Sequence, residues 1–280
     1  MRFTILGCGS SPGTPRIYGD WGACDPNNPK NRRMRASLLV ERIGPNGMTT
    51  VVVDTGPDFR QQMLNANVKF LDGVLYTHAH ADHSHGIDDL RGYALAQKQR
   101  IQVHSDIETF EQLNASFGYC FEKPPNSMYP PTLDHHQISA GQVVTIDGKG
   151  GPVSALPIMQ VHGDIHSLGF RFGAFDGNQP LKGGFAYSPD ASDIAADQID
   201  RLRDLDIWVV DCLMYRPHVS HFSLDQALEW IEITQPKRAI LTHMHIPLDY
   251  ETVMNETPRH VEPAYDGMVI ELADAIMTGQ

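Results

Sequence analysis

Thr77-His78-Ala79-His80-Ala81-Asp82-His83 gathers three imidazoles and a carboxylate directly after a predicted strand, Gly73–Thr77. In extended backbone, residues two apart project to the same side, so His78 and His80 converge on one point. The chain then turns toward a helix and aims Asp82 and His83 at a second point beside the first. Imidazoles with a carboxylate suit zinc, and also manganese or iron. Histidine is the outlier of the composition: there are 14, with four between His78 and His85 and others in short clusters late in the chain.

Working outward, Arg2–Leu6 reads as a first strand entering the tight turn Gly7-Cys8-Gly9-Ser10-Ser11-Pro12-Gly13. A Pro/Asn/Arg-rich loop covers Pro26–Arg35. Ser37–Arg42 and Thr50–Asp54 read as a hairpin around Gly44-Pro45-Asn46-Gly47, and Asp58–Asn65 as a short helix after Pro57. Beyond the histidine cluster, helices are predicted over Ile87–Gln99 and Asp106–Ala115, with strand Ile101–His104 between them. Phe121–His136 carries four prolines and no periodicity, and reads as a loop. Strands follow at Gln142–Ile146, Val153–Val161, Leu168–Phe172 and Gly184–Ser188, then a helix over Asp193–Leu205 and a buried strand, Ile207–Asp211. Ser223–Thr234 reads as a helix with a serine N-cap, Arg238–Thr242 as a strand, Asp249–Glu256 as a short helix and Met268–Glu271 as the closing strand. Strands arrive in two batches, each followed by helices. That pattern suits two sheets packed face to face with helices outside, an αββα sandwich. No repeat or linker divides the chain, so residues 1–280 are read as one domain.

The bulk composition narrows the function. A content of 41% hydrophobic and 20% charged residues is ordinary for a globular protein, and no apolar run is long enough to span a membrane. The N-terminus lacks the apolar core of a signal peptide. Cys8, Cys24, Cys120 and Cys212 are too few and too scattered for a disulfide framework, so a cytoplasmic location is expected. With 22 basic against 34 acidic groups, the net charge of −12 has the wrong sign for gripping a long nucleic acid. Small anionic substrates remain compatible, because bound cations supply positive charge locally.

His-x-His-x-Asp-His after a strand is the signature of the metallo-β-lactamase superfamily, which this chain resembles. The resemblance implies a metallo-β-lactamase fold, two mixed sheets flanked by helices, and further ligands in a fixed order. His162 in Gln160-Val161-His162-Gly163, Asp190 in Tyr187-Ser188-Pro189-Asp190 and His243 in Ile240-Leu241-Thr242-His243 each stand where a strand is predicted to end. His166 competes with His162 but falls in the predicted turn before Leu168–Phe172; Asp193, which suits a helix N-cap, competes with Asp190; His245 competes with His243. By resemblance, His78, His80 and His162 hold one divalent ion and Asp82, His83 and His243 the other, Zn2+ or Mn2+, with Asp190 between them.

That superfamily hosts several chemistries. Its oxidoreductases place a glutamate where this chain has His80, and its thioester hydrolases carry Pro-Gly-His-Thr where this chain has Val161-His162-Gly163-Asp164. His218-Val219-Ser220-His221-Phe222-Ser223-Leu224-Asp225-Gln226-Ala227-Leu228 resembles the cyclic phosphodiesterases of the phosphonate-degradation (carbon–phosphorus lyase) pathway. More loosely it resembles the tRNA 3′-processing nucleases (RNase Z). In both, a histidine before this helix contacts the scissile phosphate, a place taken here by His221 with His218 as competitor. The likeness to the cyclic phosphodiesterases runs through Gly7-Cys8-Gly9-Ser10-Ser11, Asn31-Arg32-Arg33-Met34-Arg35 and Glu262-Pro263-Ala264-Tyr265-Asp266-Gly267-Met268. It departs at the clustered cysteines that hold a structural zinc in the pathway enzyme: only Cys24 remains, with His245 as the remnant histidine, so no structural zinc is expected.

The resulting expectation is a binuclear-metal phosphodiesterase acting on a small cyclic phosphate or nucleotide-like phosphodiester, with Asp82, Asp190 and His221 as catalytic residues. Thioester or lactam hydrolysis, and non-hydrolytic nucleotide or metal binding, are the alternatives. Asp54, after Val51-Val52-Val53, resembles the superfamily's buried aspartate that orients a ligand histidine; a turn residue before Gly56 is the other reading. His85, Asp88, Asp89 and Arg91 are candidate pocket residues, Arg91 equally a solvated one. RNase Z grips tRNA with a basic arm, whereas Phe121–His136 holds a single lysine. A homodimer is implied by resemblance alone.

Overall fold

Leu38 and Val40 face one way and Leu39 the other, and Val51 and Val53 alternate likewise with Val52. This period of two gives one sheet two apolar faces, each of which needs a cover. The computed structural model describes residues 1–273; the last residues of the expected domain, 274–280, lie outside them. In chain order the elements are β1 (Arg2–Gly7), β2 (Ser37–Gly44), β3 (Gly47–Val53), α1 (Phe59–Asn65), β4 (Gly73–Leu75), α2 (Ala81–Ser84), α3 (Leu90–Gln97), β5 (Ile101–Ser105), α4 (Ile107–Phe121) and β6 (Leu133–Gln137). There follow β7 (Val144–Ile146), β8 (Val153–His162), β9 (Ile165–Phe172), the short hairpin β10 (Phe175–Asp176) and β11 (Gln179–Pro180), β12 (Phe185–Ser188) and β13 (Ile207–Asp211). The chain closes with α5 (Leu224–Thr234), β14 (Arg238–Thr242), α6 (Tyr250–Glu256), β15 (Val261–Pro263) and β16 (Val269–Glu271).

Two seven-stranded mixed sheets result, ordered β16-β1-β2-β3-β4-β5-β6 and β15-β14-β13-β12-β9-β8-β7. The first is antiparallel as far as β3 and parallel beyond it. The second is parallel from β15 to β12 and antiparallel from there to β7. Leu38, Val40, Val51 and Val53 pack between the sheets against Ile158, Phe170, Phe185 and Val209. Leu39 and Val52 face outward under Phe59 and Met63 of α1, Leu90 of α3 and Leu113 of α4. The Phe3 ring of β1 stacks on Phe185 of β12 with centroids 3.9 Å apart, which joins the two sheets directly. Among the described residues, no helix is long and apolar enough to cross a membrane.

Several predicted elements differ in detail. The backbone N–H of Val161 bonds Asp193 O, drawing Asp193 into a β-bridge, so the helix expected over Asp193–Leu205 is reduced to 3-10 turns over Ala196–Leu202. Ile87–Gln99 opens as a 3-10 turn, Ile87–Asp89, before α3. α4 continues past Ala115 to Phe121 across a non-helical Phe117. The end of the expected Phe121–His136 loop is a strand, because Leu133 is buried and its backbone pairs with the open edge of β5. β9 begins at Ile165, which places His166 in a strand rather than a turn, exposed and paired with Val161. β4 ends at Leu75, two residues early, although Tyr76 N–H still bonds His104 O of β5 at 2.9 Å.

Phe3→Ala is expected to lower the unfolding free energy by about 3–5 kcal/mol, read from urea denaturation. A loss below ~1 kcal/mol would show that the Phe3–Phe185 stack does not clasp the sheets.

Candidate metal centre

Parallel strands share a direction, so their carboxyl ends gather on one edge of the sandwich, where ligand sites in α/β sheets are built. Asp54 follows β3, His78 follows β4, His162 ends β8, Asp190 follows β12, Asp211 ends β13 and His243 follows β14. α2 begins directly after His80 and carries Asp82 and His83 in its first turn. The fold thus brings together every metal-ligand candidate from the sequence, in two groups: His78, His80 and His162; and Asp82, His83, Asp190 and His243.

Asp190 stands between the groups. Its Oδ2 lies 3.8 Å from His78 Nε2 and 3.6 Å from His162 Nε2, while its Oδ1 lies 3.0 Å from His83 Nε2 and 3.5 Å from His243 Nε2. Asp82 Oδ2 faces the second group, 3.4 Å from His83 Nε2 and 3.5 Å from His243 Nε2. His80 Nδ1 and His162 Nε2 sit 3.2 Å apart.

The outward ring nitrogens of His83, His162 and His78 are already engaged, while His243 Nδ1 is buried without a partner. His83 Nδ1 donates to Asp54 Oδ2 at 2.7 Å, His162 Nδ1 to Ser220 O at 2.7 Å, and His78 Nδ1 to Thr77 Oγ1 at 2.9 Å. Each of these bonds fixes a tautomer whose Nε2 lone pair points into the centre. His78 Nε2, His83 Nε2, His243 Nε2 and Asp190 Oδ1 are buried there without a hydrogen-bond partner. Such orphaned atoms are costly unless something satisfies them. Unpartnered nitrogen and oxygen atoms converging on one point fit a cation.

For the first group the electrostatics agree with that donor set. Burial lowers the His162 imidazole to about 4 and also depresses His80. Burial, reinforced by His83, holds His78 well below its usual value. Burial opposes charge on Asp82 and Asp190, but the neighbouring His83 and His243 imidazoles outweigh it and hold both carboxyls low. His83 runs the other way: Asp190, Asp82 and Asp54 outweigh its burial and raise it well above its usual value, so a divalent metal would have to displace its proton.

Asp54 is an orienting residue rather than a turn residue. Fully buried, it accepts from Thr77 N at 2.9 Å, Thr77 Oγ1 at 2.8 Å and His83 Nδ1. Asp54 (φ 65°) and His243 (φ 56°) both adopt left-handed backbone conformations that disfavour side chains, strain of the sort found at functional sites. His221, just before the Ser223 cap of α5, joins His162 and Asp190 in a further cluster, and its Nδ1 donates to Asp211 Oδ2 at 2.7 Å.

His218 is exposed and lies outward, its ring centroid 5.4 Å from that of His221. Asp193 is exposed and bonds its neighbour's N–H. His245 Nδ1 meets Ser10 Oγ at 2.8 Å, and the Cys24 thiol sits against the carbonyls of Ile246 and Leu248. Asp88 and Arg91 line a small separate cavity with Tyr119 and Tyr129, and exposed His85 packs on Phe117 with centroids 5.4 Å apart. These three therefore lie outside the metal groups, and exposed Asp89 is likewise in none of them. Sequence reading passed over Asp211; its one signal is an acidic residue ending a buried strand in register with Thr242, beside His243.

Asp54→Ala is expected to weaken zinc or manganese binding by about 10–100-fold while the protein stays folded, measured by competition with a chromogenic chelator. Unchanged affinity would remove Asp54 from the orienting role.

Residues 49–244 match the β-lactamase superfamily domain. A solved diphosphatase of the PhnP family is 30% identical, covers 96% of this chain and 97% of its own, and superposes with a TM-score of 0.83. An octanoyltransferase from Porphyromonas gingivalis is 30% identical over 96% of this chain and 51% of its own length. A ribonuclease Z from Bradyrhizobium diazoefficiens is 29% identical over 51% of this chain and 46% of its own. The chain thus spans about half the length of the curated relatives it matches. With the domain match covering most of the strands that carry the two ligand groups, the chain belongs to the β-lactamase superfamily and has the metallo-β-lactamase fold of its hydrolases.

Proposed function

We propose that this protein is a binuclear-metal phosphodiesterase acting on a small cyclic phosphate or nucleotide-like phosphodiester. The observation that carries the reading is the Asp190 carboxylate, one oxygen toward His78 and His162 and the other toward His83 and His243, with the Asp211-anchored His221 alongside. His78, His80 and His162 would hold one ion and Asp82, His83 and His243 the other, Asp190 serving both. Divalent ions such as Zn2+ or Mn2+ would supply Lewis-acid polarisation of a phosphate oxygen and activation of water.

The chain's own residues supply orientation and a proton. With Nδ1–H given to Asp211, neutral His221 presents Nε2 as an acceptor. Once charged, it donates from Nε2 to a phosphate oxygen or to the departing oxygen, as a general acid. Asp211 orients the His221 ring through the 2.7 Å contact. Asp54 and Ser220 O keep His83 and His162 from rotating.

The likeness to a PhnP-family diphosphatase supports phosphate chemistry. The octanoyltransferase match supports no acyl transfer through this chain's thiols: all four cysteines are buried, and burial raises each thiol above its usual value, the reverse of an activated nucleophile. A net charge of −12 and the single Lys123 in the loop after α4 argue against a tRNA-sized substrate.

The test is hydrolysis of bis(p-nitrophenyl) phosphate and a 2′,3′-cyclic nucleotide by metal-stripped protein, before and after adding Zn2+ or Mn2+. Turnover should require the metal, and His221→Ala should lower kcat by about 100-fold or more with metal content unchanged. Cleavage of a lactam or thioester in place of either phosphodiester would overturn the reading. Metal binding with no turnover of any of them would favour a binding protein.

A further inference from the structure

A cavity of about 420 Å³ opens on the outer face of the first sheet, where β16, β1 and β2 run past the end of α1. Strand register orders its wall in rows. Arg2 pairs with Glu41 on one side and Glu271 on the other, and Thr4 pairs with Leu39 and Val269. Residues two apart in a strand face the same way, so a charged row, Glu41–Arg2–Glu271, is followed by Leu39–Thr4–Val269 and then by Leu6. Gln62 of α1 and Asp266, in the turn before β16, close the far end: Asp266 bonds Cys8 N, two residues beyond Leu6.

Both ends of this wall are left with acceptors. In the first row Arg2 Nε and Nη2 take both oxygens of Glu41, at 2.7 and 3.0 Å, which leaves Glu271 as surplus negative charge. At the far end Asp266 accepts from Cys8 N at 3.0 Å and Met34 N at 2.7 Å. Burial nevertheless raises its carboxyl to about 7, as befits a charge short of compensation. Gln62 is buried; its Nε2 donates to Arg35 O at 2.8 Å, while its Oε1 has no partner among the described residues. A buried acceptor without a donor is costly. Arg2, already paired, is the one cation among the described lining residues. Between the ends the wall is apolar, with buried Leu6 and Leu39 and exposed Val269. Four strand residues separate the Arg2 row from Leu6, roughly 13 Å. Negative ends at that spacing, with an apolar stretch between them, fit a linear aliphatic polyamine: ammonium groups meet the acceptors and methylenes cover the middle.

We propose that this cavity binds a linear aliphatic polyamine, with one terminal ammonium at Asp266 and Gln62 Oε1 and the other at Glu271. The site is independent of the phosphodiesterase reading, since no lining residue belongs to the two ligand groups or to the Asp211–His221 pair.

Spermidine is the probe. Calorimetric titration of the zinc-loaded protein at about 0.15 M ionic strength, where diffuse attraction is screened, should show a single saturable site. Spermidine should bind about tenfold or more tighter than 1-aminobutane, which reaches only one end. Glu271→Gln, at an exposed position on the edge strand, should weaken spermidine about threefold or more. Gln62→Leu should weaken it about tenfold; if that variant does not fold by circular dichroism, Glu271→Gln decides alone. Glu229→Gln, in the separate acidic groove along α5, should leave the affinity unaltered. Absence of saturable binding, equal affinity for the two amines, or an unaltered affinity in Glu271→Gln overturns the proposal. So does a larger loss in Glu229→Gln, which places the polyamine elsewhere, or displacement of spermidine by an equal concentration of Mg2+, which marks attraction by charge alone.

Discussion

Four imidazoles crowd the two oxygens of Asp190, and most of the facing atoms lack a hydrogen-bond partner. A buried carboxylate surrounded by nitrogen lone pairs is a poor arrangement for a bare protein, because each unpaired polar atom forfeits its hydration. It is a good arrangement around cations. Much of the edge of the sandwich is organised to maintain it: Thr77, Asp54 and Ser220 O take up the outward ring nitrogens, and Asp211 does the same for His221.

The fold makes such a site available by converging strand ends. Two sheets, each with a parallel half, deliver chain reversals at one edge, and the Phe3–Phe185 stack and the layer beneath it fix how those ends face each other. The reversals are abrupt. Asp54 and His243 turn within a single left-handed residue, which costs conformational energy but places a functional side chain at the first position beyond the strand. Rigid strands supply most ligands, while His218 rides on a loop, where variation in substrate preference is easiest to accommodate.

Much of this was legible in the sequence, for a physical reason. His78, His80, Asp82 and His83 are local in sequence, and strand and helix periodicity alone dictates where they point. His162, Asp190 and His243 stand at the ends of apolar runs that hydrophobic patterning delimits. Asp211 was not legible, since its partner His221 lies across a loop and only the pairing of β13 with β14 sets it beside His243. The errors in secondary structure are likewise non-local. The helix expected from Asp193 yields to a bridge with Val161, and His166 becomes a strand residue because β9 extends to pair along β8. Asp54 was ambiguous for a different reason: an aspartate before Thr55-Gly56 suits a turn as well as a buried acceptor, and only Thr77 and His83 closing on it decide the matter.

The most direct measurement is metal content. Native protein and Asp190→Asn, equilibrated with limiting free zinc and dialysed, are compared by elemental analysis alongside circular dichroism. If Asp190 serves both ligand groups, the native chain should retain two ions and the folded variant one or none, since an amide replaces the shared charged oxygens. Two ions retained by folded Asp190→Asn, or none by the native protein, would contradict a binuclear centre organised on this carboxylate.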